Sequence, residues 1–158
     1  MKNVLYLGRF FPRKMRQTII HDSRGKMTFS NHNFEESIIK GLCLQKGIKL
    51  KCISIPGVFS FPKNNRCLYT KAEKYIYKGS MIKSVGYLNL PLIKEVTSIL
   101  SVYGEMKRTL DEYEGDCVSV IVSQPDYALL KSLELARKKT KKRITQTVVV
   151  PDIPMMVT

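Results

Sequence analysis

Residues 117–122 read CVSVIV, a short, β-branched and nearly continuous apolar run. An alternating strand buries one face, whereas a run like this buries both. It suits the centre of a parallel sheet covered on its two sides. That requirement constrains the fold more than any other feature of the chain.

Other segments fall into step with it. Lys2–Leu7 reads as a buried strand that turns at Gly8, and Ile48–Ile55 as a second that stops at Pro56-Gly57. Ser84–Leu90 (SVGYLNL) alternates like a third, and Ile144–Val150 closes the series. Helical patterns separate them. Asn33 is placed to cap a helix, with Glu36 three residues on as a capping-box partner. Phe34, Ile38 and Leu42 supply its apolar face, and Gly47 ends it. Ile93, Val96, Leu100, Tyr103, Leu110 and Tyr113 form one stripe of a long helix, with Gly104 as a candidate break. Tyr127–Lys139 is a helix capped by Asp126, with cations in its last turn. HDSRGKMTFSNHN (21–33) reads as loop, and 58–79 carries no clear pattern.

Strand and helix in alternation predict an α/β fold: a Rossmann-like, doubly wound, mainly parallel sheet of about five or more strands. The 158 residues fit a single domain with a real core. In such sheets ligands bind outside the carboxyl ends of the strands. Those ends are Gly8-Arg9, Pro56-Gly57, Asn89–Pro91, Ser123–Asp126 and Pro151–Pro154.

Charge narrows the partners. Lys and Arg number 27 against 13 Asp and Glu, for a net +14, which attracts nucleic acid, an anionic membrane face or phosphorylated small molecules. RKKTKKR (137–143) is the densest run, and its plainer reading is a solvated helix end and turn. Arg9, Arg13, Lys14 and Arg16 lie beside Phe10 and Phe11, a combination suited to an anionic membrane or a lipid pyrophosphate. The four cysteines make no C-x-x-C pair, which speaks against a zinc site and for reduced cytosolic thiols. His21 and His32 have no metal-ligand spacing and read as surface residues. Tyr69, Tyr75 and Tyr77 among lysines are a weak nucleic-acid platform, with no recognition motif around them. No run of ~18 apolar residues or export signal stands in the sequence. A second glycine after Gly8 is missing, so no dinucleotide fingerprint is present.

SNHNFEESIIKGL (30–42), ISIPGVFSFPKN (53–64), VGYLNLPLIKEVT (85–97) and VVVPDIPMM (148–156) resemble the N-terminal domain of bacterial group 1, family 4 glycosyltransferases. These are two-domain GT-B enzymes of capsule and exopolysaccharide gene clusters. The likeness covers almost the whole chain, in order. It implies an acceptor-binding half, truncated before the donor-binding C-terminal domain, cytoplasmic or peripheral at the inner membrane face, and inactive alone. A separate chain supplying the donor domain is a variant of the same expectation. The reaction would move a sugar from a nucleotide donor to a polysaccharide or lipid-linked acceptor, with no metal and no cofactor of its own.

On that likeness Asp152, between Pro151 and Pro154, is the expected catalytic carboxylate, orienting or deprotonating the attacking hydroxyl. Its simpler reading is a turn aspartate. Gly8, Arg9, Ser123, Gln124 and Asp126 are the expected acceptor-binding residues. Relatives often carry a histidine in the loop where this chain has Ser123–Asp126. The competing class is a basic, non-enzymatic module for nucleic acid or another polyanion.

Overall fold

A computed structural model describes residues 1–11, 13–25 and 29–150. They form β1 (Lys2–Gly8), α1 (Arg13–Asp22), α2 (Ser30–Leu44), β2 (Ile48–Ser54), β3 (Tyr69–Thr70) and β4 (Glu73–Tyr77). Then come β5 (Ser80–Ser84), β6 (Tyr87–Leu88), α3 (Ile93–Asp111), β7 (Cys117–Ser123), α4 (Tyr127–Lys139) and β8 (Arg143–Val149). The main sheet runs β4-β5-β2-β1-β7-β8. It is parallel except for β4, which pairs antiparallel with β5. A single Rossmann-like α/β domain results.

β1 is the central strand, buried from Asn3 to Gly8. Its side chains divide between two cores. Leu5 and Leu7 pack with Val118, Val120 and Val122 of β7 beneath Val102, Met106 and Leu110 of α3 and Leu129 and Leu133 of α4. Val4 and Tyr6 pack on the other face with Leu50, Cys52, Ile82 and Ile39 of α2. Apolar burial on both faces is what the CVSVIV run requires. Two tyrosines pin backbone at the core margins: Tyr113 Oη donates to the Val4 carbonyl at 2.5 Å and Tyr87 Oη to that of Pro56 at 2.5 Å.

Several elements differ from the expectations. α1 lies where no helix was expected, with a mean pattern too polar to stand out, and α2 begins at Ser30. Asn33 therefore sits inside α2 and is not its cap; the cap position is Phe29, without a side-chain bond. The buried face of α2 is His32, Glu35 and Ile39, rotated from the Phe34 line, and Phe34 is 37 % exposed. His32 is accordingly a core residue, stacked between Phe10 and Phe11 at ring separations of 5.0 and 4.3 Å. Both phenylalanines are buried, so they are not exposed aromatics for a membrane.

The third parallel strand is Ser80–Ser84, not Ser84–Leu90. Val85, Tyr87 and Asn89 do alternate inward, but that stretch crosses to a two-stranded ribbon of β3 and β6. Alternation reports which side chains point inward, not which strand is the partner. The preceding hairpin turns at Lys78-Gly79, both with positive φ (47° and 80°), as a two-residue loop between right-twisted strands demands. Gly104 does not break α3, and the inward face of that helix is Ser98, Val102, Met106, Thr109 and Leu110. Ile93, Val96 and Leu100 face solvent. Gly47, with φ 80°, follows the end of α2 as expected.

Candidate functional site

The first strand ends on two residues that do different work. The backbone N–H of Arg9 donates to Glu35 Oε2 at 2.8 Å, and its guanidinium reaches the opposite way. Nε and Nη2 both donate to Asp126 Oδ2, at 2.8 and 2.5 Å. Asp126 uses its other oxygen, Oδ1, to accept from the Leu129 N–H at 3.1 Å, capping α4. One carboxylate thus ties a helix start to the carboxyl end of the central strand.

Beside this pair lies a cleft of about 330 Å³ lined by Arg9, Lys94, Glu95, Asp126, Ser60 and Tyr127, among others. It opens at the carboxyl ends of the parallel strands. Lys94 Nζ donates to the Val58 carbonyl and stands 5.8 Å from the centre of the Tyr87 ring. Burial, helped by the Arg9 charge, holds the Lys94 amine below its ordinary range. The cleft therefore offers a guanidinium, an amine and a carboxylate within one small volume. Such a set fits phosphate oxygens and sugar hydroxyls.

Beneath the cleft floor is a buried carboxyl. Glu35 is 1 % exposed, and burial pushes its pKa up to about 7 against the lowering pull of the Ser123 hydroxyl and the Arg9 and Phe10 N–H groups. The Tyr6 and Ser123 hydroxyls are buried without completing a hydrogen bond of good geometry. Ser123 still lies close enough to favour the Glu35 carboxylate. Only glycine fits at position 8: a Cβ there would stand 2.1 Å from Glu35 Oε2 and 2.8 Å from the Tyr6 ring.

The fold thus gathers Gly8, Arg9, Ser123, Gln124 and Asp126 at one end of the sheet. Arg9 and Asp126 line the cleft. Gly8 makes room for Glu35, and Ser123 turns to Glu35 rather than to the cleft. Gln124 shapes the loop with φ 72°, its N–H donating to the Val149 carbonyl at 2.9 Å. Asp152, Pro151 and Pro154 lie outside the described residues. Lys94 and Glu35 carried no mark in the sequence. Lys94 sits in the resemblance stretch as one more lysine, and Glu35 interrupts an apolar pattern without completing any motif.

The RKKTKKR run lies at the other end of the sheet, where β8 begins. Three of its cations are engaged: Lys138 with Glu134 at 2.7 Å, Arg137 with Gln146 at 3.4 Å, and Lys142 Nζ with the Tyr113 and Gly115 carbonyls at 2.7 and 2.6 Å. Lys142 serves the carbonyls that follow α3, as cations at a helix carboxyl end do. Tyr75 and Tyr77 are packed on Phe10 and do not form an open stacking platform. Among the described residues no group of three or more His, Cys, Asp or Glu is placed to hold a metal, and no helix is long and apolar enough to cross a membrane.

No family model, curated protein or solved structure matches the chain.

Proposed function

We propose that the chain is the acceptor-side half of a glycosyltransferase of the two-domain GT-B kind. Its carboxyl-end cleft takes a sugar, free or linked to a lipid phosphate, and a second domain on this or another chain holds the nucleotide-sugar donor. The observation that carries the reading is the Arg9–Asp126 pair beside Lys94, in the crevice where doubly wound sheets bind ligands. Asp126 and Arg9 would share sugar hydroxyls, and Lys94 with the guanidinium would meet a phosphate. Asp152 remains the proposed catalytic carboxylate, on the likeness of its loop to the family's. The enzyme reading requires the donor domain, so the chain alone would bind acceptor without turnover.

Calorimetric titration with a short-chain prenyl diphospho-sugar tests this. Binding is expected, and Arg9→Gln should weaken it by about tenfold or more, the usual loss for a charge-assisted bond. Failure to bind the sugar, together with tight and steeply salt-dependent binding of duplex DNA, would favour the polyanion module instead.

A further inference from the structure

The two strand ends that supply the cleft's ion pair meet on one buried carboxyl. Arg9 follows β1, and Asp126 follows β7 by way of Ser123 and Gln124. Glu35 of α2 touches both ends. Its Oε2 accepts from the Arg9 N–H at 2.8 Å, the Phe10 N–H bonds the same carboxyl, and the Ser123 hydroxyl lies beside it. The backbone around Arg9 is fixed on its other side as well. The Gly8 carbonyl accepts from the Ile55 N–H at 2.9 Å, and the Ser54 hydroxyl donates to the Phe10 carbonyl. Arg9 is therefore held by its backbone on Glu35 and by its side chain on Asp126 in the cleft.

The surroundings of Glu35 serve either form of the carboxyl. The Tyr6 and Ser123 hydroxyls are buried with no hydrogen bond of good geometry. A hydroxyl donates to a carboxylate and accepts from a carboxylic acid, so each can turn to suit the proton's presence or absence. Among the described residues, the charged and titratable groups facing Glu35 are Tyr6 and Arg9 at the end of β1, Cys52 on β2, and His32 one turn earlier on α2. Arg9 keeps its charge at every pH of interest. Burial pushes the Tyr6 hydroxyl and the Cys52 thiol upward, away from neutrality. Beyond Arg9 stand Asp126 and Lys94, both lining the cleft.

Glu35 and an anion in the cleft draw on the same guanidinium. The Arg9 charge favours the Glu35 carboxylate. An anion seated on Arg9 cancels that help and adds a negative charge of its own, so the carboxyl holds its proton more tightly. Linkage makes the effect reciprocal: a proton on Glu35 strengthens the hold on the anion.

We propose that Glu35 is a proton-linked regulator of the cleft. It takes a proton from solvent when a phosphate-bearing ligand binds, and its ionisation loosens that ligand. The proposal rests on the reading of the cleft as a phosphate and sugar site. With the free carboxyl held up at about 7, the device works around neutrality.

The test is calorimetric titration of the full chain with the short-chain prenyl diphospho-sugar at about pH 6, 7 and 8.5. Both phosphates of this probe are esterified, so its charge stays constant over that range. Affinity is expected to fall about fivefold from the lowest pH to the highest, at the low end for coupled sites because the guanidinium is partly exposed. Near neutrality, buffers of different ionisation enthalpy should report uptake of about a third of a proton per ligand. Glu35→Gln should abolish both the uptake and the pH dependence. Lys94→Arg, charged throughout, and His32→Phe, aromatic in the same stack, should keep them. A pH-independent affinity in the parent overturns the proposal and leaves the cleft reading standing. So does a dependence that survives Glu35→Gln, or one that disappears in Lys94→Arg or His32→Phe while binding persists. Absence of binding at every pH removes the phosphate reading of the cleft, and the proposal with it.

Discussion

Arg9 and Asp126, 117 positions apart, meet through two hydrogen bonds to a single carboxylate oxygen. The other oxygen caps α4. The binding cleft and the helix start therefore share one side chain, and substitutions separate the two roles. Asp126→Ala removes cap and ion partner together and should cost about 2 kcal/mol. Asp126→Asn keeps a capping oxygen and should cost under about 1 kcal/mol. Arg9→Ala leaves the cap intact. With the arginine side chain 35 % exposed, the pair is screened by solvent and its loss should stay within about 1 kcal/mol. Urea unfolding of the three variants checks the order.

Glu35 predicts a pH dependence of stability. Its carboxyl is held up at about 7 against an ordinary 4.5, chiefly by burial. The folded chain therefore binds this proton more tightly than the unfolded chain. The stability it contributes is complete below about pH 4.5 and is lost as the pH rises through about 7, a change of ~3 kcal/mol at most. Glu35→Gln keeps an oxygen for the Arg9 N–H and carries no charge. Its unfolding free energy should exceed that of the parent near about pH 8 and show a flatter dependence across this window. A parallel pair of pH profiles would refute the assignment.

Lys83 is buried on β5, with Nζ 2.6 Å from Glu105 Oε1 on α3 and 3.4 Å from Glu112 Oε1. Removing Glu105 strands much of a buried charge, and Glu105→Ala should cost roughly 2–3 kcal/mol. Lys83→Met with Glu105→Leu deletes both charges along with their need for partners and should be close to neutral. Thermal melts of both variants read this asymmetry. Equal losses would mean that the pair acts as a simple sum of contacts.

The thiols should react in order of burial. Cys67 and Cys117 are exposed, Cys43 is half-buried, and Cys52 is buried with its thiol pushed up by burial and by the neighbouring Cys43 and Glu35. Iodoacetamide labelling followed by peptide mass mapping should therefore mark Cys67 and Cys117 first and Cys52 only after unfolding. Early alkylation of Cys52 would contradict the packing around β2.

The sheet was largely legible in the sequence because continuous apolar runs leave few alternatives. Lys2–Leu7, Ile48–Ile55, Cys117–Val122 and Ile144–Val150 fall within a residue or two of β1, β2, β7 and β8. The Asp126 cap was legible for the same local reason: one short polar side chain before a helical pattern. What failed was reading polar positions as solvent-facing. Lys83 hides the third strand, because its charge breaks the apolar run while Glu105 satisfies it from 22 residues away. His32 and Glu35 hide the true face of α2 in the same way.

The sequence by itself determined the alternation of strand and helix and brought five expected site residues to one end of one sheet. Local pattern suffices there, since a strand's apolar run names its burial and a doubly wound parallel sheet puts the loops after its strands at one end. Only the tertiary structure decided which of those residues face the cleft, that Lys94 joins them, and that Glu35 lies beneath. It also exposed Ile93, Val96 and Leu100 of the α3 stripe that the periodicity had assigned to the core, while Tyr103, Leu110 and Tyr113 of that stripe pack inward. The physical reason is common to all four: a helix carrying apolar residues on more than one face does not state which face the sheet will take. A buried charge, in turn, is invisible until its distant partner is folded against it.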